Sequence, residues 1–300
     1  MSKQQQVELD ATLRQAPFDQ TGDVAALRSS FEALMQGIPV PGDVRKTATA
    51  VGGVNAVEVT VDGIDPSDAI LYFHGGVYAI GSADSSVPLV ADLSRRTNAR
   101  VISVDYRLAP ENPYPAAVED AKAAYQGLLA QGADPMNIAF SGESAGGGLA
   151  VAALLAVKSA DMPMPSAVFA MSPWVDLTLS GNTIINKQEF DPTLTGEGLR
   201  WRVGDYVADG SPSDPYISPI FADLRGLPPM LIQVGSHEIL LSDAVRLAER
   251  AAKDDVAVTL EVVPGVPHVF QAYAAVLDEG DAALNRAASF LTTHFAAPTT

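Results

Sequence analysis

The chain contains no cysteine, so neither a disulfide nor a thiolate-held metal contributes to its stability or chemistry. Basic residues are scarce: 19 Lys and Arg stand against 36 Asp and Glu, a formal charge of −17. That excess disfavours nucleic acid and anionic membranes as partners, and mildly disfavours anionic substrates. The longest apolar helical stretch, Leu149 to Val157, falls well short of the ~20 residues of a membrane span. The opening Met1-Ser2-Lys3-Gln4-Gln5-Gln6 lacks the basic-then-apolar order of an export signal, which points to a cytoplasmic protein. No Gly-x-Gly-x-x-Gly, Gly-Lys-Ser/Thr, His-Glu-x-x-His or calcium-loop spacing occurs. No nucleotide, metal or other cofactor is therefore expected.

What remains is enough for one large α/β domain. The chain has 300 residues, of which 47% are apolar, compatible with a sizeable core. Val24 to Met35 carries apolar residues at helical spacing, and Pro39 and Pro41 then break the pattern. Val44 to Val51 and Asn55 to Val61 alternate like two antiparallel strands. Strand and helix then alternate, with strands expected at 69–73, 100–104, 137–141, 166–171, 230–234 and 258–263. Helices are expected near 87–97, 115–130, 145–160, 242–253 and 280–295. This order predicts a mostly parallel eight-stranded sheet covered by helices on both faces. Between Ser172 and Leu227 the alternation lapses, apart from a helical piece near Gly196–Val207. So long an insertion in a compact domain points to function. Residues 178–215 or so, with about 1–42, are the expected small helical cap.

Gly142-Glu143-Ser144-Ala145-Gly146 lies where the apolar strand Asn137–Phe140 gives way to a helix rich in Ala, Leu and Val. Glycines permit so sharp a corner, which would lift the Ser144 hydroxyl above the sheet edge. The helix N-terminus beneath it favours a developing anion. A second apolar strand, Ala69–Phe73, runs straight into His74-Gly75-Gly76-Val77-Tyr78. Main-chain N–H groups of Gly75 and Gly76, with that of Ala145, are the expected oxyanion donors. Both motifs follow strands, so both belong at the carboxyl ends, where ligands bind.

These two motifs, with Tyr106-Arg107-Leu108-Ala109-Pro110-Glu111, Ser172-Pro173-Trp174-Val175-Asp176 and Gly265-Val266-Pro267-His268-Val269-Phe270, resemble the bacterial short-chain esterase branch of the hormone-sensitive lipase family of α/β-hydrolases. The likeness runs from about the first strand to His268, in the family's order. It implies an α/β-hydrolase fold, a cap over Ser144, a small-molecule ester substrate, and a possible homodimer through the last strand. Val77 departs from the pattern, since many members carry another glycine there.

Of the four histidines, His74 belongs to the glycine loop and His294 to the terminal helix; His237 lies close to the active edge. His268 follows the last strand in a loop stiffened by Pro264 and Pro267, and nucleophile first, histidine last is the hydrolase order. His268 is the expected base. The acid belongs after the penultimate strand, where Gly235-Ser236-His237-Glu238-Ile239-Leu240-Leu241-Ser242-Asp243 stands. The family usually has an aspartate early in this segment. Glu238 is preferred because histidine cannot accept as required. Asp243 is the rival, although its place at a helix start suggests capping.

Glu143 is expected to point away from Ser144 and anchor nearby loops, and Tyr106, Arg107, Glu111 and Asp120 to form a structural cluster behind the glycine loop. Leu199, Trp201, Tyr206, Val269 and Phe270 are candidates for an apolar acyl pocket. The sequence thus reads as a serine carboxylesterase acting on short- to medium-chain esters. A lactone hydrolase with the same triad is the nearest alternative. A non-catalytic receptor on this fold, like the plant gibberellin receptors that resemble the family but lack the histidine, is the distant one.

Overall fold

Ala69–Phe73 (β3) is buried along its whole length, because helices cover both of its faces. Ile70 and Tyr72 point into one core with α3 (Val87–Thr97) and α9 (Asp278–His294). Leu71 and Phe73 point into the other, with α4 (Ala116–Ala130), α5 (Ala145–Ser159) and α8 (Leu241–Lys253). A strand with alternate residues in two cores has no polar face to show.

The computed structural model describes residues 3–15 and 20–296; Met1, Ser2 and 16–19 of the expected cap lie outside these. The remaining strands are β1 (Val44–Val51), β2 (Val54–Val61), β4 (Arg100–Val104), β5 (Ile138–Glu143), β6 (Ala167–Met171), β7 (Met230–Gly235) and β8 (Val258–Val263). Their order is β1-β2-β4-β3-β5-β6-β7-β8. β2 runs antiparallel to both β1 and β4, and every later pairing is parallel. This is the expected eight-stranded sheet. Among the described residues no helix is long and apolar enough to cross a membrane.

Register decides what meets at the carboxyl edge. Phe73 of β3 pairs with Gly142 of β5, and Glu143 with Met171 of β6. The glycine loop, Ser144 and the loop after β6 therefore leave the sheet side by side. Gly235 of β7 pairs with Val263 of β8, which brings the segments carrying Glu238 and His268 together. α1 (Lys3–Gln15) and α2 (Val24–Gln36) lie over this edge, and the insertion adds the single turn α6 (Thr183–Asn186) and the helix α7 (Gly196–Val207).

Candidate active site

Ser144 adopts φ 56° and ψ −122°, a conformation that L-residues rarely take and that persists only where surroundings enforce it. The enforcement is steric and local. A side chain at Gly146 would collide with the Phe73 carbonyl, and one at Gly142 with the carbonyl of Gly146. Ser144 N–H donates to Met171 O at 2.9 Å, so β6 also holds the corner. α5 begins at Ala145, directing its N-terminal dipole at the space beside Ser144.

That space is a cavity of about 250 Å³ bordered by Ser144, Glu143, His268 and the loop Gly75–Val77. His268 Nδ1 lies 2.6 Å from Glu238 Oε2. A carboxylate there accepts, so Nδ1 carries the proton and Nε2 is left as the basic nitrogen. Glu238 is fully buried, and its Oε1 accepts from Ser172 Oγ at 2.8 Å and Gly235 N–H at 2.6 Å. Ser172 Oγ also accepts from Val269 N–H at 3.0 Å. One hydroxyl thus ties the acid to the residue following the base. Burial pulls the His268 pKa down, but the charge and hydrogen bond of Glu238 outweigh it, and the net shift is upward.

Asp243 is not at the imidazole. Its Oδ2 accepts from Val175 and Asp176 N–H at 3.0 and 2.9 Å, holding the loop after β6. Its expected cap role is also replaced, since no side chain caps α8. Burial and the nearby Asp176 charge raise its pKa to about 8. His237 packs against Phe190 at 5.3 Å, outside the cavity lining. His74 stacks on Tyr106 at 4.3 Å, and burial lowers its pKa to about 4. His294 sits on α9 against Phe290. Tyr106 OH donates to His74 O, Arg107 clamps Asp120, and Glu111 pairs with Arg28 of α2. The expected cluster behind the glycine loop is therefore structural, with Arg28 tying α2 to it.

Two expectations need correction. Gly75 N–H donates to Glu143 Oε1 at 2.8 Å, so it is already committed. Among the described residues no acceptor of the chain takes the N–H of Gly76, Val77 or Ala145. Gly76 O accepts from both Ala79 and Ile80 N–H at 2.9 Å, which leaves the Val77 N–H at the open start of that turn. The acyl-pocket residues are corrected too. Leu199 and Tyr206 face the core, where Tyr206 stacks on Tyr78 at 3.8 Å. Trp201, two residues on from Leu199, falls on the other side of α7 and is 52% exposed. Phe270 packs with Leu9, Val266 and Leu277 in a separate cluster. Only Val269 of the five borders the cavity.

The walls come instead from Phe31, Leu34 and Met35 of α2 and Ile38 just beyond it, from Pro192–Leu194, and from Ala272 and Tyr273. The α2 residues recur at helical spacing, a stripe legible in the sequence. Asp191 supports the second group: it accepts from Thr193 and Leu194 N–H at 2.9 Å, and from Ile239 N–H at 2.9 Å. The cavity wall is thereby pinned to the residue after Glu238.

A family model described as the alpha/beta hydrolase fold matches residues 70–272. A solved esterase from the bacterial hormone-sensitive lipase family superposes with a TM-score of 0.94 at 36% identity, covering 99% of this chain and 100% of that one. The chain belongs to the hormone-sensitive lipase family of α/β-hydrolases. Among curated relatives it is 40% identical to an acetyl-hydrolase of Streptomyces hygroscopicus over 281 residues, 91% of each chain. It is 39% identical to an esterase of Acinetobacter venetianus over 268 residues, covering 89% and 88%. The sequence motifs that suggested this family all lie at its carboxyl edge, and within or beside the matched region.

Proposed function

We propose that the protein is a serine carboxylesterase. His268 Nε2 takes the Ser144 proton as Oγ attacks the ester carbonyl, while Glu238 holds the ring and balances its cation. The oxyanion receives hydrogen bonds from the N–H groups of Gly76, Val77 and Ala145. His268 then delivers the proton to the leaving alcohol. It next activates water, whose attack releases the carboxylic acid and restores Ser144. The observation carrying this reading is the buried His268–Glu238 pair on the same cavity as Ser144. A purely binding role would have no use for that pair. Nothing about the cavity favours a tethered leaving alcohol, so open-chain esters are the proposed substrates.

In this reading α1, α2 and the insertion form the cap, and the apolar stripe of α2 receives the acyl chain. At about 250 Å³ the cavity lies just below the roughly 300–1,000 Å³ of drug-sized sites. The names of the acetyl-hydrolase and esterase relatives fit a short acyl group. Across p-nitrophenyl esters, kcat/KM should peak between about C2 and C8, with C16 at least roughly tenfold lower. Best turnover of C16 esters at an oil–water interface would contradict this reading of the cavity.

The pH profile follows from the base. Only neutral His268 can accept the Ser144 proton, so activity is lost on acidification through its pKa. Glu238 raises that pKa, placing the acid limb of kcat/KM above the ~6.5 of free imidazole. Glu143, whose pKa burial lifts to about 7, also borders the cavity. The limb of His268 is the one that moves to lower pH in Glu238→Gln, where the raising charge is gone and burial remains. A profile flat from about pH 8 to about pH 5 would exclude a histidine base.

A further inference from the structure

We infer that Glu143 is a positioning residue of the oxyanion site: its carboxylate fixes the Gly75 peptide so that the following N–H groups face Ser144. This rests on the esterase reading above. Glu143 ends β5 immediately before Ser144, and its side chain reaches sideways to the neighbouring strand. Oε1 accepts from Gly75 N–H at 2.8 Å and from Ser86 Oγ at 3.4 Å, while Oε2 accepts from Tyr72 OH. One carboxylate therefore joins the nucleophile's strand, β3, the glycine loop and the start of α3.

The loop's peptides show why that bond matters. In a trans peptide the N–H and C=O point in opposite directions, so holding one aims the other. In the His74–Gly75 peptide, Tyr106 OH donates to the carbonyl at 2.7 Å and Glu143 takes the N–H. In the next peptide, the Gly75 carbonyl lies 2.7 Å from His74 Nδ1. A carbonyl can only accept, so Nδ1 bears the proton, and the Gly76 N–H is turned to the opposite side. In the third, the Gly76 carbonyl is held by Ala79 and Ile80 N–H, which turns out the Val77 N–H. Glu143 is the only member of this chain of restraints attached to the nucleophile itself. It sets the loop relative to Ser144, where the other bonds set the loop's internal shape.

The test compares Glu143→Ala with Glu143→Gln, since glutamine keeps an oxygen for Gly75 N–H. Two readouts are taken: p-nitrophenyl ester kinetics, and inhibition by a trifluoromethyl ketone that forms a tetrahedral adduct in the oxyanion site. Glu143→Ala should lose roughly 10²-fold in kcat, the scale of one oxyanion donor, with KM held within about threefold. Its ketone Ki should rise by the factor that kcat/KM falls, and Glu143→Gln should stay within about tenfold of the parent. A kcat for Glu143→Ala within about threefold of the parent, or equal loss in both variants, would overturn the role. Should Glu143→Ala not fold, Tyr72→Phe removes one donor behind the carboxylate. Its ketone Ki should rise about 3–10-fold at constant KM, and an unchanged Ki would overturn the role. Ser144→Ala in the same assay separates the two readings. An active Ser144→Ala refutes the esterase mechanism, whereas an active Glu143→Ala beside an inactive Ser144→Ala refutes only the positioning.

Discussion

Glu238→Gln should reduce kcat by about 10⁴ with the fold intact, the loss that the equivalent change causes in serine proteases. The side chain keeps its size, and its oxygen can still accept from Ser172 Oγ and Gly235 N–H. What then faces His268 Nδ1 is an NH₂ donor, which favours the tautomer with the proton on Nε2. That tautomer cannot take the proton of Ser144. The lost charge also leaves the imidazolium of the transition state without its partner in a buried site. Asp243→Asn is the matched control. Burial keeps Asp243 largely protonated at neutral pH, with its pKa raised to about 8, so asparagine imitates the form already present. Its cost should be about 1 kcal/mol, read as a lower Tm with turnover largely intact. Steady-state kinetics and thermal melts on both proteins check the pair. An inactive Asp243→Asn beside an active Glu238→Gln would move the acid to Asp243.

Much of this site could be read from the chain because its parts are local. Ala69–Phe73 and Ile138–Phe140 are uninterrupted apolar runs, and Gly142-x-Ser144-x-Gly146 needs only its own neighbours to form the corner. Glu238 was separable from His237 on chemistry alone, since a carboxylate accepts from an imidazole and a second imidazole does not serve. Ser172 and Asp191 were not legible in this way. Their roles exist only because the sheet sets β6 beside β7, and because the insertion folds back onto residue 239. The oxyanion donors show a different limit. Any residue but proline offers a main-chain N–H, so the glycines marked the loop without marking which amides were free. Gly75 was excluded by the side chain of Glu143, far from it in sequence.

The acyl pocket failed for a third reason. Leu199, Tyr206 and Phe270 are large and apolar near the site, and core and pocket make the same demand on such residues. Helical phase separates Trp201 from Leu199, but phase alone does not say which face meets the core. The stripe Phe31, Leu34, Met35 and Ile38 carried the better signal. Its first three members sit on a helix whose only fully buried residue is Leu27. Phe31 also packs against the core, but Leu34, Met35 and the following Ile38 are apolar residues the core does not claim.

Ser144→Ala should abolish turnover, by roughly 10⁴-fold or more, since loss of the nucleophile disables the whole catalytic unit. Stability should change little. Serine and alanine face the same backbone strain at φ 56°, and Glu238 and His268 keep their own partners. The residual rate would come from the oxyanion donors acting on a bound ester with water as nucleophile. The most direct measurement is made on the parent protein, by treating it with a p-nitrophenyl alkylphosphonate and mapping the adduct by peptide mass spectrometry. Attack by Ser144 Oγ expels one p-nitrophenolate and leaves a phosphonyl group whose oxygen occupies the oxyanion site. The account predicts one phosphonyl group per chain, on Ser144, with activity lost in step with labelling and no label on Ser144→Ala. Full inactivation with the adduct on another residue, or sustained turnover by a fully labelled Ser144, would contradict it.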